Sequence, residues 1–507
     1  MSDPAVPGVP ATVYEMAERA LAAGDEQPAI DAVERFLRSH PGDVRAAQWL
    51  ALLWRACDRR DKAVDLLERA LARAPEDVGI RRTLAYVRLE AGLPAVRNFL
   101  EAIAHRPGDA ELRLALASAR YAEGDGLQAL DELDRMLAVN HGWYQGHRQF
   151  AQLASMVGQP DRALSTLDRA IAAFGQSIDP DLVAIDLLLD AEHPAEARAY
   201  IDRAVARTGD PRPFALLDAV AEDELRHLDR AAERFDRLAP VDEPGHRIRR
   251  ARHLIRRGAL DAARAEIEPL LGQPGDAEAW PYAWLIWRAT GDVRADWLDC
   301  DGKATHVVDL DPNRLDLPGL RRELRALHDR SGRFLNQSVR HGSQTDGPLL
   351  ARISPAIAAA RELVRAEVAA FARAMPPADA AHPLLRQDRD AAARFAGSWS
   401  VRLTGDGYHS AHHHPQGWLS GVLYIEVPEM LSGLAGHLWL GGGPENLGLE
   451  IAPLRTVEPK PGRLVLLPSC MWHGTNPSIM GERVTIAFDM IPKRLNQSVP
   501  GVPANHI

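Results

Sequence analysis

Gly407-Tyr-His-Ser-Ala-His-His-His-Pro-Gln-Gly-Trp418 is the stretch from which the rest of the sequence is read. It places four histidines, His409, His412, His413 and His414, within six residues, in a chain with only 19 among 507. Imidazole is the commonest metal-binding side chain at neutral pH. On an extended strand side chains alternate between faces, so His412 and His414 aim at one point and His413 points away. A further donor stands downstream at His473, in Pro468-Ser-Cys-Met-Trp-His-Gly-Thr475. The pattern predicts a metal site of His412, His414 and His473, with His409 and His413 outside the ligand set.

The residues around this stretch read as β structure. Strands are expected near 397–403, 419–427, 437–440, 463–467 and 483–491, separated by turns rich in Gly and Pro. Short strands at such spacing suggest a sandwich or jelly roll. In the last strand, Glu482-Arg-Val-Thr-Ile-Ala-Phe-Asp-Met490, alternation puts Arg483 and Thr485 on one face and Val484, Ile486 and Phe488 on the other. An arginine on the interior face is costly unless it meets an anion. A guanidinium grips a carboxylate bidentately, and a nearby hydroxyl can donate to the same group. Tyr424 and Ser420 share a strand face with Trp418 and are expected to line the same pocket. Arg402, ten residues before His412, is another candidate for contacting a cosubstrate or substrate.

The first half of the chain follows another rule. Ala29, Ala63, Ala95, Ala129, Ala163, Ala197, Ala231 and Ala262 are spaced by 34, 32, 34, 34, 34, 34 and 31 residues. Helix-breaking positions recur in step at Pro41, Pro75, Pro107, His141, Gly175, Gly209, Pro240 and Pro274. A period of about 34 residues is the signature of tetratricopeptide helix–turn–helix units. A small residue is needed where two helices cross closely, and Pro or Gly is tolerated where a helix ends. No unit buries its apolar face alone, so the units must stack into a superhelix. Ala279-Trp-Pro-Tyr-Ala-Trp-Leu-Ile-Trp287 reads as a final capping helix. The array offers a groove for a protein or peptide partner, or alternatively serves assembly alone.

After Trp297 the repeat stops. Residues 301–315 read as a linker with a short strand, and helices are expected at 317–328 and 355–374. Between them 336–345 is too polar for a core element. The expected organisation is a repeat superhelix at 12–297, a linker at 298–315, a helical pre-core at 316–396, a β core at 397–495 and a tail at 496–507. The fold class is multidomain: an α-solenoid followed by a double-stranded β-helix with flanking helices.

Bulk properties set further bounds. A length of 507 residues calls for more than one domain. The net charge of −10 argues against nucleic acid as the main partner. No apolar run approaches the roughly 18 residues needed to span a membrane. Three scattered cysteines make no disulfide framework, and no leader is evident, which together suggest a cytoplasmic protein.

Residues 397–492 resemble the 2-oxoglutarate and Fe(II)-dependent oxygenases. The closest resemblance is to a branch carrying His-x-His-Pro-x-Gly-Trp-x-Ser, Leu-Pro-Ser-x-x-Trp-His-Gly-Thr and Glu-Arg-x-Thr-x-Ala-Phe-Asp, often behind a tetratricopeptide array. Residues 337–340 with Gln344 and Thr345 resemble the pre-core element of this branch. The resemblance implies that His412 and His473 bind iron and that Arg483, assisted by Thr485, binds the far carboxylate of 2-oxoglutarate, with O2 as the oxidant. The superfamily usually has Asp or Glu where His414 stands. His414 thus completes an all-imidazole triad, or lies beside a two-histidine centre, or marks an altered and inactive site; strand geometry favours the first. The expected activity is hydroxylation of a peptide or protein presented by the array. The alternatives are a small-metabolite oxygenase with a structural array, or an inactive scaffold.

Overall fold

The computed structural model describes residues 12–238, 242–330, 332, 334–335, 338–387, 389, 393–415, 417–429, 433–478 and 481–492. Pro240, Gln416, the start of the polar segment at 336–337 and the expected tail at 496–507 lie outside these residues.

Sixteen α-helices, from Val13–Ala23 to Leu260–Ile267, pair antiparallel into eight units among the described residues. The sequence shows why the first three units turn where they do. Pro41, Pro75 and Pro107 sit in turns, and the Asp two residues later caps the next helix. Asp43, Asp77 and Asp109 accept hydrogen bonds from the backbone N–H of Ala46, Ile80 and Leu112, satisfying donors that a helix start leaves free. Seven of the in-step alanines, Ala29 to Ala231, are at most 6 % exposed. The eighth departs from the expected register: Ala262 is exposed and Ala263 is buried. One residue rotates a helical side chain by about 100°, so the last unit is a residue longer than the alanine spacing implied.

The β unit consists of two antiparallel sheets. Its strands are β1 (His306–Asp309), β2 (Val339–Gln344), β3 (Arg394–His409), β4 (Leu419–Glu426), β5 (Leu438–Leu440), β6 (Arg455–Val457), β7 (Arg463–Pro468), β8 (His473–Thr475) and β9 (Glu482–Ile491). The large sheet has the order β1-β7-β4-β9-β3-β2 and the small one β6-β5-β8. A single bridge between His412 and His473 adds the histidine-rich stretch to the open edge of the small sheet. The chain from β3 to β9 thus passes back and forth between the sheets, with β5 and β6 consecutive in the small one, and the central order is β3-β9-β4-β7 opposite 412-β8-β5-β6, as in a double-stranded β-helix. Helices Leu317–His328 and Pro355–Ala374 cover the outer face of the large sheet through Val484, Ile486, Phe488 and Met490.

The short strand expected within 301–315 is β1, which pairs with β7 and extends the large sheet. The polar segment, taken as no core element, contains β2, paired with β3. An edge strand is held by backbone hydrogen bonds and need bury few side chains; in β2 only Val339 is buried.

The aromatic helix Trp280–Thr290 is not a free end cap. Trp280, Tyr282, Trp284 and Trp287 are each at most 6 % exposed, and they share one core with Leu438, Leu440, Val465, Leu467 and Trp472 of the β unit. The array also touches the C-terminal half along its whole length. Arg394 pairs with Glu26 and Arg365 with Asp58. Ile353 N–H donates to Ala91 O at 3.2 Å, and Arg256 Nε donates to Asn446 O at 2.9 Å.

Removing a large aromatic from this shared core leaves a cavity that both halves line. Trp287→Ala is expected to cost about 3–5 kcal/mol in denaturant unfolding. A loss below about 1 kcal/mol, outside the range for such truncations, would show that the two halves do not rely on that core.

Candidate metal centre

His412, His414 and His473 each present a ring nitrogen within 4.8 Å of the others, close enough for one ion. His412 and His473 are held by their mutual backbone pair, with N···O distances of 2.9 and 3.0 Å. The His414 N–H donates to Ser469 O at 2.8 Å. Gly474 lets the small sheet close over the site: a Cβ there would lie 2.5 Å from Trp439.

The three rings share a tautomer logic. His412 Nδ1 lies 2.8 Å from Ser410 O, and His473 Nδ1 lies 2.9 Å from Met471 O. His414 Nδ1 lies 2.9 Å from Asp489 Oδ2. A carbonyl or carboxylate oxygen only accepts, so each Nδ1 carries the proton and each Nε2 keeps its lone pair for a ligand. Burial reinforces neutrality. It pulls the pKa of His412 down to about 3, and that of His473 well below the usual value. Three convergent imidazole nitrogens fit a first-row divalent metal such as Fe(II).

Arg483 lies across the same cavity, 2 % exposed. It donates to Gly436 O and, at 2.9 Å, to Thr475 Oγ1. Among the described residues no carboxylate lies within ion-pairing distance of it. Burial pulls its pKa down, so the site holds a desolvated cation in need of an anion. Thr485, Tyr424 and Ser420 line the cavity with it, as do Ser338, Gln344 and Trp399. The cavity measures about 100 Å³. Tyr424 is buried, which raises its pKa.

The strand registers explain the placement. Val401 and Leu403 stand opposite Thr485 and Arg483, whereas Arg402 stands opposite Val484 on the reverse face. Arg402 therefore does not reach the cavity; it pairs with Asp329 at 2.9 Å and with Glu482. Its spacing from His412 suggested a site role, but strand parity overrides spacing. His413 points away from the triad, edge-on to Tyr282 and Trp472. His409 stacks on His412 with centroids 5.6 Å apart and lies outside the triad.

Asp489 was not singled out from the sequence. It lies six residues beyond Arg483 in β9, so period-two alternation puts both on the cavity face. Ser338, Gln344 and Trp399 were also missed as cavity residues; they come from β2, its approach and the start of β3, elements the sequence did not pair with one another.

A second, larger cleft of about 1260 Å³ opens beside the metal cavity. His409 and Thr475 line both. One wall of the cleft is the repeat array, through Arg249, Arg252 and Tyr282; the other is the rim of the β unit, through Tyr408, Trp439 and Asn476.

Residues 397–489 match the family described as "Putative 2OG-Fe(II) oxygenase". No curated protein matches the chain. Among solved structures, MamA AMB-1 is 23% identical, with 34% of this chain and 95% of that one covered at a TM-score of 0.28. A tetratricopeptide repeat protein from Parabacteroides merdae is 17% identical, with coverages of 44% and 90% and a TM-score of 0.29. A thermophilic TPR protein from Thermus thermophilus is 24% identical, with coverages of 36% and 99% and a TM-score of 0.23. The oxygenase family match is thus confined to the C-terminal β unit, and the solved structures to which the chain is similar include repeat proteins.

Behind the cavity, His328 holds β2 to β3. Its ring nitrogens lie 2.9 Å from Ser343 Oγ and from Ser400 Oγ, and Ser400 Oγ donates to Thr485 O at 2.8 Å. Burial, with help from Arg402, pulls its pKa down to about 4. An unfolded histidine titrates near 6.5, so the unfolded chain binds the extra proton between those values. Stability is then intact above about pH 6.5 and falls as pH drops toward 4. Replacing His328 by Gln is expected to remove about 2 kcal/mol of the apoprotein's stability loss between pH 7 and pH 5, read by urea unfolding at each pH. An unchanged pH slope would refute this account of His328.

Proposed function

We propose that the protein is an Fe(II)- and 2-oxoglutarate-dependent dioxygenase that hydroxylates a peptide or protein lying between the repeat array and the rim of the β unit. One observation carries the reading: three imidazoles with free Nε2 atoms face a buried, carboxylate-free Arg483 across a cavity of about 100 Å³. His412, His414 and His473 would hold the metal. Arg483 and Thr485 would hold the far carboxylate of the cosubstrate, with Tyr424 and Ser420 shaping the walls. Together, bound Fe(II), 2-oxoglutarate and O2 supply a hydroxylation in which the cosubstrate leaves as succinate and CO2 and one oxygen atom enters a C–H bond of the substrate. The chain's own part is to fix the imidazole tautomers, to hold the cosubstrate in one orientation and to keep water from the cavity.

Size supports the peptide reading. Small-molecule pockets are roughly 300–1,000 Å³. The metal cavity falls below that range and suits only the compact cosubstrate. The adjoining cleft, at about 1260 Å³, lies above it. Its walls carry charges of both signs, with Arg249, Arg252 and Arg340 near Asp190, Glu192 and Glu224, a surface suited to a polypeptide. No helix among the described residues is long and apolar enough to cross a membrane. The three cysteines are unpaired, and a cytoplasmic setting suits them.

Anaerobically loaded protein exposed to air is expected to form succinate from 2-oxoglutarate without added substrate. His412→Ala should lower that rate at least 100-fold, and Arg483→Ala should raise the KM for 2-oxoglutarate at least tenfold with a smaller effect on kcat. Full turnover in His412→Ala would sink the metal assignment, and no succinate from the wild type would leave a binding scaffold.

The cleft is tested separately with a mixture of random ten-residue peptides. The mixture is expected to stimulate succinate formation, and Arg249→Glu to weaken the stimulation while leaving the unstimulated rate alone. Equal stimulation in both proteins would remove the array from substrate recognition.

A further inference from the structure

Every usual triad of this kind carries one carboxylate, and this one carries none. The missing negative charge is one hydrogen bond away. His414 Nδ1 lies 2.9 Å from Asp489 Oδ2, and the other carboxylate oxygen accepts from Ser420 Oγ at 2.6 Å. Ser420 is in turn 2.9 Å from Ser469 Oγ, and Ser469 O accepts the His414 N–H. The four residues close a ring of hydrogen bonds among the histidine stretch, β4, the turn after β7 and β9. Ser420 and Asp489 stand directly opposite each other across the strands. Gly417 leaves room for the ring: a Cβ there would lie 2.3 Å from Ser469 Oγ and 3.4 Å from the Asp489 Cβ. On its far side the His414 ring stacks on Trp399, with centroids 5.7 Å apart and planes within 10°.

The three triad histidines are not equivalent in this respect. His412 and His473 direct Nδ1–H at main-chain carbonyls; only His414 directs it at a carboxylate. A carboxylate behind an imidazole fixes its tautomer and makes the opposite nitrogen a stronger donor.

We propose that Asp489 is the positioning residue of the metal site, returning through the His414 ring the negative charge that a carboxylate ligand would otherwise supply. This rests on the metal-site reading above, and it assigns the role to a residue outside the ligand set. His414 thereby acts as an imidazole with carboxylate character, and loss of the Asp489 charge weakens the metal rather than the fold.

The readout is Co(II) affinity of the full-length apoprotein, followed by the visible absorption of the bound ion. Asp489→Asn keeps an acceptor of the same shape and is expected to weaken Co(II) about 10- to 100-fold, with the thermal midpoint of the apoprotein unchanged. Placing Asp489→Asn in a His414→Ala background should add nothing, because the charge has no ring to act through. An additional loss as large as in the wild-type background would overturn the proposal, as would Asp489→Asn affinity within twofold of wild type. Ser420→Ala gives a second approach if Asp489→Asn does not fold. It frees one carboxylate oxygen and touches no ligand, and it should weaken Co(II) severalfold; unchanged affinity there counts against the ring. If the wild type itself takes up no Co(II), the metal-site reading falls and this inference with it. Wild-type binding with an indifferent Asp489→Asn removes this inference alone.

Discussion

The shared core around helix Trp280–Thr290 is the constraint on which the arrangement of the molecule depends. A repeat array buries its units against one another and normally leaves its last face to be capped. Here that face is spent on the β unit: Trp280, Trp284 and Trp287 sit in the same apolar cluster as Leu438, Leu440 and Trp472. Trp472 immediately precedes His473, and its Nε1–H donates to Pro281 O at 3.2 Å. The helix that ends the array is therefore a direct neighbour of the metal-site strand. Tyr282 reaches further, contacting both Trp472 and His413 edge-on. An apolar core with matched shapes tolerates little relative displacement, so the array wall of the large cleft is fixed relative to the triad.

That coupling gives the crowded histidine stretch three distinct tasks. His412 and His414 turn toward the cavity. His413 turns toward the array and joins the aromatic contact, where burial pulls its pKa down to about 3. His409 stands at the junction of the small cavity and the large cleft, and its Nδ1 lies 3.2 Å from Ser338 Oγ. Alternation along an extended chain is enough to separate the first two tasks from the third.

The same alternation marks how far the sequence could be read. It put His412 and His414 together, sent His413 away and placed Arg483 with Thr485, because these follow from period two within one strand. The tetratricopeptide period was legible for a similar reason: a one-methyl side chain is needed wherever two helices cross, and seven of the eight alanines are buried at that point. What was not legible depends on pairing between distant strands. Arg402 looked like a site residue until its opposite number proved to be Val484. The edge strand β2 gave no strand signal, since an edge is held by main-chain groups that every residue carries. Asp489 was within reach, being on the Arg483 face, but its significance needs Ser420 and His414 beside it, and they are brought there by β4 and by the chain that follows β3.

Charge ties these features together. A cavity holding three imidazoles and one buried guanidinium, with no carboxylate beside the guanidinium among the described residues, is electrostatically unfinished. Adding a divalent cation alone would place it in a low-dielectric site that already contains Arg483, and like charges at such range repel strongly. The site therefore favours a cation that arrives with an anion long enough to touch both ends. A dicarboxylate meets that demand, one end on the metal and the other on Arg483 and Thr485, whereas a monovalent anion would satisfy only one of the two positive centres. Asp489 offsets part of the remaining charge from behind His414 without occupying a metal position, so its carboxylate does not compete with the dicarboxylate for the ion. A direct carboxylate ligand would neutralise a bound metal more fully; with an imidazole in its place, a bound ion would depend more on an anion beside it. Metal and dicarboxylate binding are on this argument mutually reinforcing, because each supplies the charge that makes the other tolerable in a cavity of about 100 Å³.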